Sequence, residues 1–171
     1  TVHFYGIPYH DPVEVREAFA CEVSTYDEAH TFLVDQIKQV RVAGVPSVVI
    51  SHCFIDGAEE SESERPLSIG GADRVSYQPL EDFDYVALGH LHGPQYKGAE
   101  HIRYSGSLLK YSFSEYLQNK GVTLVELDEN GLVATEHLPL KAQKNLRIIE
   151  GLLDDILEQG KDDPDNEDYL F

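Results

Sequence analysis

The alternation of apolar and polar positions opens on a strand-like run, Val2-His3-Phe4-Tyr5-Gly6-Ile7, followed by Pro8 to Val23, where turn and helix signals mix. Thr25-Tyr26-Asp27-Glu28 has the form of a capping box. Ala29, Phe32, Leu33, Ile37 and Val40 follow at helical spacing, which predicts an amphipathic helix that ends near Gly44. Pro46-Ser47-Val48-Val49-Ile50-Ser51-His52 is a short β-branched run of the kind buried in a sheet between helices. Asp56 to Gly71, rich in Glu, Ser and Gly, predicts a long loop. A helical turn at Leu80 to Phe83 leads into a second buried strand, Asp84 to Gly93, which ends in histidines. Beyond Tyr96 the pattern turns β-rich. His101 to Tyr104, Gly121 to Leu127 and Leu132 to Leu138 read as strands, the last two joined by an Asn130-Gly131 hairpin turn. Arg147 to Gly151 predicts one more strand, and Leu152, Leu153, Ile156 and Leu157 a short helix that closes near Gly160. A change of subdomain is expected near Lys141, which divides the chain into 1–140 and 141–171.

Composition narrows the class. The chain has 171 residues, 42% apolar and 26% charged, enough for one domain with a real core. No stretch approaches the roughly 18 to 20 apolar residues that span a bilayer, and Thr1 to Tyr9 lacks the pattern of a secretion signal, so a cytoplasmic location is expected. Cys21 and Cys53 stand outside any C-x-x-C pattern and read as reduced structural thiols. The formal net charge of -18 opposes binding of a polyanion by the chain alone. Much of that excess lies in Glu59 to Glu64 and Asp162 to Asp168, both read as solvated loops.

Of the eight histidines, His52, His90 and His92 each stand just past the carboxyl end of a strand that reads as buried. Ligands bind at that edge in open α/β sheets, and neutral imidazole is a common metal ligand. Gly89 is expected to let the backbone turn sharply off the strand, and the two-residue step from His90 to His92 to let both rings converge. His3, His10, His30, His101 and His137 read as surface or hydrogen-bonded core.

Val86-Ala87-Leu88-Gly89-His90-Leu91-His92 resembles the last metal-binding motif of calcineurin-like metallophosphoesterases, and Ile50-Ser51-His52 the histidine motif that precedes it. Glu60 to Gly71, Arg103 to Glu115 and Val122 to Leu127 resemble stretches typical of the SbcD nuclease subunit, so the resemblance covers most of the chain. It implies an α/β fold: the C-terminal half of a metallophosphoesterase αββα sandwich, followed by the start of an α+β capping subdomain. It also implies a two-manganese site that hydrolyses DNA phosphodiesters beside an SbcC-type ATPase. His52 and His90 would bind one ion and His92 the other. The D-x-H, G-D and G-N-H-D motifs of that pattern do not occur here and are expected upstream of Thr1. Without their carboxylates the chain is expected to be no nuclease by itself, and to hold no ion or a single adventitious zinc or nickel.

Ser105 and Ser107, with Lys110 nearby, are candidates to position a phosphate. Half a sandwich would leave apolar sheet surface uncovered, which predicts a homo-oligomer or a swapped dimer. Two other functions fit the pattern. One is a self-sufficient hydrolase with His52, His90 and His92 on one zinc. The other is a non-catalytic acidic module that binds a basic partner.

Overall fold

Parallel strands need long connections between them, and such pairs organise the first two-thirds of the chain. The computed structural model describes residues 1–64 and 72–171. In chain order the elements are β1 (His3–Ile7), α1 (Pro12–Phe19), α2 (Tyr26–Val40), β2 (Ser47–His52), β3 (Phe54–Ile55), β4 (Arg74–Val75), β5 (Tyr85–Gly89), β6 (Gln95–Lys97), β7 (Ala99–Tyr104), β8 (Gly121–Asp128), β9 (Gly131–Pro139), β10 (Leu146–Arg147), α3 (Leu153–Gly160) and β11 (Tyr169–Leu170). A five-stranded sheet runs β1-β2-β5-β7-β6, parallel except for the antiparallel edge strand β6.

Register places Tyr5, Val49, Val86 and Ile102 in one row, and Ile7, Ser51, Leu88 and Tyr104 in the next. Both rows lie on one face of the sheet, since side chains two apart on a strand share a face. Val34, Leu33 and Ile37 of α2 pack against that face and close the main core. The capping box sits where the sequence puts it: Thr25 Oγ1 accepts from the Glu28 N–H at 3.1 Å. A second box, Asp11 with Glu14, starts α1 in the segment where sequence signals were mixed, and Val15 of that helix joins Val23 and Ala29 in a satellite core. The opposite face of the sheet presents Phe4 and Ile50, which are 65% and 51% exposed.

β8 and β9 form a separate hairpin, with a register shift between Glu126 and Leu127. Its tip lies against Asp84, whose carboxylate accepts from both the backbone N–H and the hydroxyl of Ser47. Beyond it, α3 carries no buried side chain. Asp162 to Asp168 is the exposed loop expected of it, tied down at two points where Arg147 of β10 reaches Asp163 and Asp168 at 2.7 and 2.8 Å. Cys53 is a buried free thiol, pushed up to about 12 by burial, as befits a structural residue. No helix among the described residues is long and apolar enough to cross a membrane. Part of the Glu60–Gly71 stretch, residues 65–71, lies outside the described residues.

Candidate functional site

β2 and β5 are neighbours with His52 paired to Gly89, so the residue that follows Gly89 emerges beside His52. The ring centroids of His52 and His90 are 5.4 Å apart at 74°, and the Phe54 ring lies 5.9 Å from His90. Sequence reasoning assigned the sharp turn to Gly89, but the structure puts it one residue later. His90 itself has φ +113°, a conformation that side-chain-bearing residues rarely adopt. Gly89 serves close approach instead, since a Cβ there would stand 3.0 Å from His52 Nδ1.

His90 is half-buried, and its pKa is lowered by burial first and then by His52. Asp73 and Glu64 act in the opposite direction, and His92 adds to the lowering. The His92 N–H donates to Glu64, while its ring turns towards Ser63 and Glu115. Nδ1 is 2.8 Å from Ser63 Oγ and 3.1 Å from Glu115 Oε1, with the Tyr111 ring at 5.2 Å. Glu115, fully buried in a short 3-10 turn at Phe113–Glu115, pairs with Lys120 at 2.6 Å. Burial pushes its carboxyl up, but Lys120, Ser63, His92 and the Tyr111 N–H outweigh that and hold it near a pKa of about 2. Lys120 also donates to the His92 carbonyl at 2.9 Å and to Ser107 Oγ at 2.7 Å.

The Ser105–Ser107 turn does reach the G-H-x-H segment. Gly106 has φ +80° and sits so close that a Cβ would fall 2.6 Å from the His92 carbonyl. The Ser107 N–H donates to that carbonyl, and its hydroxyl donates to the Leu109 carbonyl, so both groups are engaged within the chain. Ser105 is partly buried. Lys110 Nζ donates to the Tyr116 carbonyl, and burial lowers its pKa.

The structure thus brings His52 beside His90 and sets His92 in a separate hydrogen-bonded socket. Among the described residues, no three His, Cys, Asp or Glu side chains form a group that could hold a metal ion. The donors at the strand ends fit one part of a metal shell, the imidazole nitrogens, and leave the oxygen ligands that manganese favours unfilled. Sequence reasoning missed the roles of Glu115 and Lys120. Glu115 closes the Arg103 to Glu115 stretch without any spacing that ties it to His92, and the two meet only through the fold. His10 and His30 prove to be core residues, stacked at 5.7 Å, with His30 Nε2 3.1 Å from Ser51 Oγ.

No family model matches the chain. It is 36% identical over 159 residues to a Staphylococcus epidermidis protein described as a subunit of the SbcCD nuclease, an alignment that takes in 92% of this chain. The chain spans 42% of that relative's length.

Proposed function

On the premise that this chain is an SbcD-like sequence along 92% of its length, we propose that it forms the histidine-bearing part of a metal-dependent DNA nuclease. The substrate is the phosphodiester backbone at DNA ends, and the partner is an SbcC-type ATPase. The adjacency of His52 and His90 at neighbouring strand ends carries the reading: two imidazoles 38 positions apart in sequence lie side by side at the edge where α/β sheets bind ligands. In the metallophosphoesterase reading, residues 1–140 would supply the second half of the nuclease domain and 141–171 would begin a capping subdomain.

His52 and His90 would hold one ion and His92 the other. When bound, two manganese ions would polarise the phosphodiester and lower the pKa of the attacking water. The chain's own contribution is to fix the imidazoles, through the β2–β5 register, the Phe54 ring and the Glu115 contact. The oxygen ligands come from the D-x-H, G-D and G-N-H-D motifs of the parent protein, so the chain alone is inactive. A net charge of -18 makes metal ions and partner surfaces the source of positive charge for DNA.

The test is a nuclease assay with manganese on linear duplex DNA, run on this chain and on the chain joined to the upstream motifs. The chain alone is expected to be inactive, and the joined protein active and silenced by His90→Ala. Activity that survives His90→Ala, or a joined protein that folds and never cleaves, refutes the proposal.

A further inference from the structure

From the donor and acceptor geometry around His92 we infer that Glu115 is a positioning residue. It holds His92 in the Nδ1–H tautomer and so leaves the Nε2 lone pair free to act as the ligand. This deepens the proposed function and rests on it for the use made of Nε2, but the tautomer itself follows from counting protons.

Three close partners of the Glu115 carboxylate, besides His92 itself, are donors. Lys120 Nζ stands 2.6 Å from Oε2, and the Tyr111 N–H donates to the same oxygen at 3.2 Å. Ser63 Oγ donates to Oε1, while the Ser61 hydroxyl gives its one proton to Glu64 at 2.7 Å. A carboxylate ringed by donors carries no proton of its own to offer. Ser63 has one proton, and it goes to Glu115, so towards His92 its oxygen can only accept. Both atoms that face His92 Nδ1, Ser63 Oγ at 2.8 Å and Glu115 Oε1 at 3.1 Å, are therefore acceptors. A neutral imidazole between them must carry its hydrogen on Nδ1. A carboxylate behind a ligating histidine fixes ring and tautomer in this way at many metal sites.

Lys120 makes the arrangement rigid. Its ammonium, on a side chain 5% exposed, ties Glu115 to the His92 carbonyl and to Ser107, so the carboxylate and the backbone of the histidine it orients share one anchor. Glu115→Gln is the informative change. A glutamine amide has one acceptor and one donor end, and Lys120 can only donate, so the amide oxygen must face Lys120. The NH2 group then faces His92, Nδ1 has to accept, and the hydrogen moves to Nε2.

The test is a long-range proton–nitrogen NMR correlation on the metal-free, 15N-labelled chain near about pH 8, where imidazoles are neutral. His92 is assigned by the signal lost in His92→Gln. Wild type is expected to show a protonated Nδ1 and a bare Nε2, and Glu115→Gln the two nitrogens exchanged. Protonated Nε2 in the wild-type chain overturns the inference even if the variant fails to fold. An unchanged tautomer in a folded Glu115→Gln overturns the role of Glu115. Because no metal or DNA is present, either result stands apart from the outcome of the nuclease assay.

Discussion

Acid should unfold this chain earlier than its carboxylates alone would, because of one histidine outside the proposed site. His30 has no exposed surface, hydrogen-bonds to Ser51 and stacks on His10. Burial, and then the His10 charge, lower its pKa from 6.5 to about 4. Between those two values the unfolded chain binds a proton that the folded chain refuses. The stability tied to His30 is therefore complete above 6.5, drains as pH falls towards 4, and falls no further below that. The whole interval is worth about 3 kcal/mol, of which about 2 kcal/mol is gone by roughly pH 5. The assay is urea denaturation of wild type and His30→Gln at about pH 7.5 and about pH 5. The carboxylates act equally on both proteins, so the double difference isolates His30. Wild type should lose about 2 kcal/mol more than the variant on acidification. Equal losses would mean that His30 titrates normally and is not sealed from water.

Backbone conformation at the site supplies two further tests. Gly106→Ala combines a positive φ with a Cβ set 2.6 Å from the His92 carbonyl, and should lower stability by about 2 kcal/mol or more in the same denaturation assay. An unchanged midpoint would show that this turn is free to shift. His90→Gly should relieve the φ of +113° and raise Tm despite the lost contact with Phe54, because strain of this kind costs about 1 to 3 kcal/mol. A lower Tm would show that the ring contacts outweigh the strain.

Local order was legible wherever neighbours in sequence decide it. The capping box at Thr25, the β-branched run at Ser47–His52 and the Asn130-Gly131 turn each gave the element its pattern predicted. Asp11-Pro12-Val13-Glu14 carried an equally good start signal for α1, obscured by the prolines and short apolar runs around it. At the site, sequence indicated His52, His90 and the strand edge they share, because periodicity reveals where a strand ends. It did not indicate that Glu115 would face His92, since that contact links a 3-10 turn to a strand end 23 residues away. Arg147 among the aspartates was hidden for the same reason. Composition marks the acidic run as hydrated, which most of it is, and only the fold says which cation ties it down.

The pairing of β2 with β5 has a kinetic consequence. Helices α1 and α2 and the β8–β9 hairpin close over short loops and can form early, whereas a parallel pair joined through more than thirty residues must first meet a larger loop-closure cost. His52 and His90 become neighbours only when that late step is complete. A nascent or partly unfolded chain can thus be rich in secondary structure while these two rings are still far apart.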